Sequence, residues 1–72
     1  MEIKTYEEYR KYVWDSILED FEDFPRNEVE DFLRKSEKMI ERTFKSDMGI
    51  YGHGNPSGCA WSLYMLYPEL PY

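Results

Sequence analysis

"TYEEYRKYVWDSILEDFEDFP", residues 5 to 25, is the stretch that decides the fold. Thr5 followed by Glu8 has the form of a capping box, the reciprocal side-chain and backbone arrangement that opens a helix. Behind it Tyr6, Tyr9, Val13, Ile17, Phe21 and Phe24 recur every three or four residues, with Trp14 and Leu18 widening the stripe. That period belongs to one face of a helix, expected over about residues 6–24 and stopped by Pro25.

Downstream, "PRN" at 25–27 makes a tight connection, and Asn27 with Glu30 forms a second N-cap signature. It opens a helix expected over about 28–47, with Val29, Phe32, Leu33, Ser36, Met39, Ile40, Thr43 and Phe44 on its apolar face. Lys45 and Gly49 suit the end of that helix. So short a link predicts an antiparallel helical hairpin.

"GIYGHGNPSGCAW", residues 49–61, holds all four glycines, the only histidine (His53) and the only cysteine (Cys59). Gly49, Gly52 and Gly54 permit the positive φ that a chain reversal needs, and Gly58 suits a close approach of helix to hairpin. Asn55 as N-cap and Pro56 at the first helical position open a third helix, expected over about 56–67 and followed by a short extended tail at 68–72. Cys59, Ala60, Trp61, Leu63, Tyr64, Met65, Leu66 and Tyr67 surround its axis, and Ser62 alone interrupts them. A helix apolar nearly all round needs cover on most sides. Either the hairpin and the folded-over tail supply it, or a second copy of the chain does. The homodimer is favoured, because association also helps a small core. The expected fold is all-α, one small three-helix domain over residues 1–72.

Size sets the same terms. A chain of 72 residues buries only roughly 60% of the surface its unfolded form exposes. One cysteine excludes an internal disulfide, and Cys59 with His53 falls short of a four-ligand zinc site unless carboxylates complete it. No cofactor is expected. A hydrophobic content of 42% and an aromatic content of 18% supply a core and argue against disorder. The first twelve residues contain no apolar h-region, and the longest apolar run is "LYMLY" at 63–67, far below a membrane span. With a lone thiol, this points to a cytoplasmic protein.

The net charge of −6 disfavours direct binding to nucleic acid or anionic membrane. Of 15 acidic and 9 basic residues, eight acids and Arg26 alone fall between Asp15 and Asp31, so the rest of the chain is nearly neutral. On the first helix Glu8, Tyr12, Asp15, Glu19 and then Glu22 or Asp23 share the face opposite the apolar stripe. Glu19, Asp20, Glu22 and Asp23 are expected in its C-terminal turns, where the helix dipole disfavours anions by about 0.3–1 kcal/mol each. The second helix obeys the dipole rule, with Glu28, Glu30 and Asp31 early and Arg42 and Lys45 late. Tyr12 stands amid the acids as a candidate apolar anchor. The expectation is a non-enzymatic module binding a protein with a basic surface, with inhibition by nucleic-acid mimicry as one version. A carboxylate every three or four residues gives about one charge per 5 Å of helix, sparser than the one per roughly 1.7 Å of duplex DNA.

The glycine stretch supports a different class, a small ligand-binding protein. Tyr51, His53, Gly54, Asn55, Ser57, Gly58 and Trp61 would hold a nucleotide or another phosphate-bearing metabolite, with free N–H groups at the helix start and rings able to stack on a base. No lysine or arginine follows Lys45, and neither the Walker nor the Rossmann spacing is present. Catalysis by Cys59 and His53 is the third reading. A first-turn position lowers a thiol pKa, but no orienting group stands at a recognisable spacing. Bend-making explains most of the stretch.

Overall fold

A computed structural model describes residues 3–67. Within them lie four helices, α1 (Tyr6–Asp20), α2 (Arg26–Lys35), α3 (Glu37–Tyr51) and α4 (Pro56–Leu66). Every regular element among the described residues is helical, and a lone antiparallel bridge joins Ile3 to Gly54. The extended tail expected at 68–72, and its folding over the last helix, lie outside the described residues.

Half of the expected capping box opens α1: Thr5 Oγ1 accepts from the Glu8 N–H at 3.3 Å, while Glu8 Oε1 accepts from the Thr5 hydroxyl at 2.8 Å rather than from its backbone N–H. The helix then ends at Asp20 rather than at residue 24. Phe21 still donates its N–H to Ile17, but the next bonds are turn bonds, Glu22 to Glu19 and Phe24 to Phe21. Two causes act together. Phe24 precedes a proline, which disfavours the helical region, and outside the helix its ring meets Phe21 at 5.2 Å and Tyr67 at 5.5 Å. Glu22 and Asp23 therefore sit in an exposed turn and not in the last turn of the helix.

The expected second helix is two helices. At Ser36 (φ −91°, ψ 4°) the hydroxyl donates to the Phe32 carbonyl at 2.9 Å, and the backbone N–H also reaches Phe32, at 3.0 Å. Ile40 donates to Ser36 at 3.0 Å, so the ladder bends without opening. A serine bonded back to residue i−4 is a known cause of bending. The Asn27–Glu30 cap does not form: α2 starts at Arg26 after Pro25, with no side-chain cap, and Glu30 pairs with Arg26 and Arg34 instead.

Gly52, not Gly49, caps α3, at φ 76°, the one positive φ among the described residues. Close approach belongs to Gly54 rather than Gly58. A Cβ on Gly54 would lie 2.5 Å from Tyr9 Cδ2, whereas one on Gly58 would meet only the Asn55 side chain, at 3.4 Å.

The hydrophobic centre runs along α1 through Tyr9, Val13 and Ile17, met by Val29 and Leu33 of α2, Ile40 of α3, and Cys59 and Leu63 of α4. The principal neighbour of α1 is α4, not the helix that follows it. They run in the same direction: Tyr12 touches Ser57 where α4 begins, and Phe21 meets Tyr64 and Tyr67 where it ends. Cover on most sides of α4 is not what the described residues provide. Cys59, Ala60 and Leu63 are buried, while Trp61, Met65 and Leu66 on the opposite side are exposed. Among the described residues, no helix is long and apolar enough to cross a membrane.

Candidate functional site

Glu8, Asp15 and Glu19 are exposed on α1, but they are not equivalent. Glu8 is engaged by Thr5 in the cap, and Asp15 holds Lys11 at 2.6 Å. Among the described residues, Glu19, Asp20, Glu22 and Asp23 form no ion pair. Glu19 and Asp20 occupy the last turn of α1, which holds no base, so the dipole disfavours both. The kink at Ser36 changes the contrast with the other helices. α2 ends on Arg34 and Lys35, whereas Arg42 and Lys45 fall mid-helix and the last turn of α3 carries no base either.

Tyr12 does not project freely from the acidic face. It is half-buried against the core, and its hydroxyl shares a hydrogen bond with Ser57 Oγ at 3.2 Å. This contact stands between two cavities. The first, about 530 Å³, is an open groove between α1 and α4, walled by Tyr12, Ser16, Glu19 and Asp20 on one side and Ser57, Ala60, Trp61 and Tyr64 on the other. Trp61 is 64% exposed and stacks on Tyr64 at 5.8 Å with 14° between planes; Tyr64 in turn stacks on Phe21 at 5.3 Å. Ser16, Asp20, Ala60 and Tyr64 were not among the sequence-derived candidates. The available signal was the four-residue spacing of Ser16 to Asp20 and of Ala60 to Tyr64, which matters only once α1 and α4 are known to lie side by side.

The second cavity, about 630 Å³, lies over the glycine loop and brings together Tyr51, His53, Gly54, Asn55 and Ser57 with Ile3, Tyr12 and Pro56. Trp61 faces the other groove, so Tyr51 and Trp61, the two rings expected to stack on a base, line different cavities. Three backbone donors of the loop are already engaged. Gly54 N–H bonds the Ile3 carbonyl at 2.6 Å, Asn55 N–H bonds Asp47 Oδ2 at 2.9 Å, and Gly58 N–H bonds the Asn55 carbonyl at 3.2 Å. Asn55 takes the N-cap position without a side-chain cap bond, and the Asp47 carboxylate beneath the loop opposes an anion. His53 Nδ1 lies 3.3 Å from the Gly54 carbonyl.

Cys59 is fully buried, and burial pushes its thiol up by more than the nearby Tyr9 and Thr43 hydroxyls offset. Burial thus works against the lowering that a first-turn position gives a thiol. Among the described residues, no three His, Cys, Asp or Glu side chains converge to hold a metal ion.

On the opposite flank of α1 Tyr6, Arg10 and Glu37 satisfy one another, while Trp14 Nε1 is buried without a hydrogen-bond partner among the described residues. Tyr6 donates its hydroxyl to Glu37, and Arg10 Nε bonds Glu37 at 2.9 Å while its guanidinium lies 4.4 Å over the Trp14 ring. Burial raises Glu37, but the bonds from Tyr6 and Arg10 and the arginine charge outweigh it and hold the carboxyl below its ordinary range. Burial, reinforced by neighbouring carboxylates, pushes the Tyr6 and Tyr9 phenols well above the usual tyrosine value.

Compared with models of known families, with curated proteins and with solved structures, the chain matches none of them.

Proposed function

We propose that this chain is a non-enzymatic, acidic protein-interaction module that binds a basic surface of a partner protein through the C-terminal end of α1. The observation that carries this reading is the distribution of ion pairs. Glu30, Asp31, Glu37 and Glu41 each hold an arginine or lysine, whereas Glu19, Asp20, Glu22 and Asp23 have none among the described residues. Two of these lie where the helix dipole opposes them, so a cationic partner gains both Coulomb attraction and relief of that conflict. Beside them α4 leaves Trp61 and Met65 exposed, the apolar component that a charged rim alone lacks. Where the partner's basic surface serves nucleic acid, occupying it inhibits the partner by competition.

The test is affinity capture on the immobilised chain at rising salt, comparing wild type with Glu19→Lys, Asp23→Lys and His53→Ala. A partner released by salt, lost with both lysine variants and kept with His53→Ala is the expected result. Capture that survives both charge reversals, or disappears with His53→Ala alone, overturns the reading in favour of the loop.

A further inference from the structure

The groove between α1 and α4 carries a chemical pattern that the molecule fills elsewhere with its own residues. On the far flank of α1 one guanidinium is held by two groups at once, the Trp14 ring 4.4 Å from Arg10 Cζ and the Glu37 carboxylate 2.9 Å from Arg10 Nε. In the groove the same two kinds of group stand together: an exposed indole, Trp61, and two carboxylates without an ion pair among the described residues, Glu19 and Asp20. Among the described residues no lysine or arginine lines it. Tyr64 extends the aromatic surface by its near-parallel stack on Trp61, and the small side chain of Ala60 lines the groove beside them.

We infer that the α1–α4 groove is an arginine-binding site, taking a guanidinium presented by a partner protein, with the planar group on Trp61 and its N–H donors on Glu19 and Asp20. This deepens the proposed function and rests on it. Charge complementarity selects a cation. Geometry selects arginine over lysine: a guanidinium is planar, weakly hydrated and rich in donors, so it stacks on an indole and bonds carboxylates simultaneously, whereas an ammonium is a strongly hydrated point charge. The volume, about 530 Å³, lies within the range of about 300–1,000 Å³ typical of ligand clefts. It accommodates the side chain with part of the backbone that carries it.

The experiment uses the whole chain and two labelled pentapeptides, Gly-Arg-Gly-Arg-Gly and its lysine counterpart, titrated by fluorescence anisotropy. The indole N–H resonances of Trp61 and Trp14 are followed by NMR. The arginine peptide is expected to bind about five-fold more tightly than the lysine peptide, shifting Trp61 and not Trp14. Trp61→Leu, at an exposed position, should abolish the preference, while Glu19→Gln with Asp20→Asn should weaken both peptides. Equal binding of the two peptides through those carboxylates overturns the arginine site and leaves the acidic module standing. Binding of neither peptide overturns the site, and loss of salt-sensitive partner capture as well overturns the function with it. Sedimentation of the free chain adds a further outcome. A dimer abolished by Trp61→Leu means that a second copy occupies the groove, and the inference falls.

Discussion

The two flanks of α1 use the same ingredients to opposite ends. Towards α3, Tyr6, Tyr9, Arg10, Glu37 and Asp47 donate and accept among themselves, and Phe44 closes the space with ring contacts of 5.5 and 5.1 Å. Towards the exposed side of α4, carboxylates and aromatic rings share a groove without a cation among the described residues. On the first flank the ionic and phenolic groups answer one another, with Trp14 Nε1 left buried and unpaired among the described residues; the second is a surface whose charges have no answer among the described residues. Since α1 supplies side chains to both, the difference lies in what packs against it. α3 brings an acid to an arginine, whereas α4 brings rings to acids.

The closed flank should be sensitive to substitution and the open flank tolerant. Gly54→Ala tests closure most severely. The new methyl would lie 2.5 Å from the ring of fully buried Tyr9, and such overpacking costs typically about 1–3 kcal/mol, visible as a lower denaturation midpoint. Next is Asp47→Ala, which removes the acceptor for Tyr9 Oη at 3.2 Å and for Asn55 N–H at 2.9 Å. Leaving a buried hydroxyl unpaired costs about 1–3 kcal/mol. The tether of the loop weakens with it, measurable as faster amide exchange at Asn55.

Changing pH sharpens the comparison on one flank only. The Glu37 carboxyl sits below its ordinary value in the folded chain. Its contribution is therefore complete above the unfolded carboxylate value of about 4.3 and is lost as pH falls through the lower folded value. Glu37→Gln should flatten that acid limb of a stability–pH curve. The phenols of Tyr6 and Tyr9 behave inversely. Their folded values are raised, so stability declines as pH climbs past about 10, where the unfolded chain ionises first. Tyr6→Phe should reduce that alkaline loss.

The smallest effect has the opposite sign. Glu19→Gln removes an anion from the last turn of α1 and should stabilise the protein by about 0.3–1 kcal/mol, less in salt, a slight rise in melting temperature. Destabilisation by Glu19→Gln would mean that the carboxylate serves the fold, and the contrast between the flanks would break.

Much of this architecture was legible in the residues. The Thr5–Glu8 cap, the three-to-four spacing through Tyr9, Val13 and Ile17, and Pro56 at the start of α4 are local signals, and each forms where the spacing places it. Ser36 was legible as a member of an apolar stripe but not as a kink, because its hydroxyl chooses between solvent and the Phe32 carbonyl according to what packs around it. Of the acidic candidates, Glu19 alone lines the groove with Tyr12; Glu8 and Asp15 are engaged locally, and Glu22 and Asp23 lie in the turn. Tyr12 and Ser57 belonged to separate readings, yet they meet.

By itself, then, the sequence determined helical character, the starts of α1 and α4, the aliphatic core positions and the concentration of charge near the end of α1, since these follow from spacing along one chain. Tertiary structure alone decided where α1 unwinds, that α4 rather than the next helix lies closest beside it, that Gly54 is the glycine under the Tyr9 ring, and which carboxylates are without an ion pair among the described residues. Each of those depends on groups distant along the chain, whose meeting is set by three-dimensional packing and leaves no periodic trace among the residues themselves.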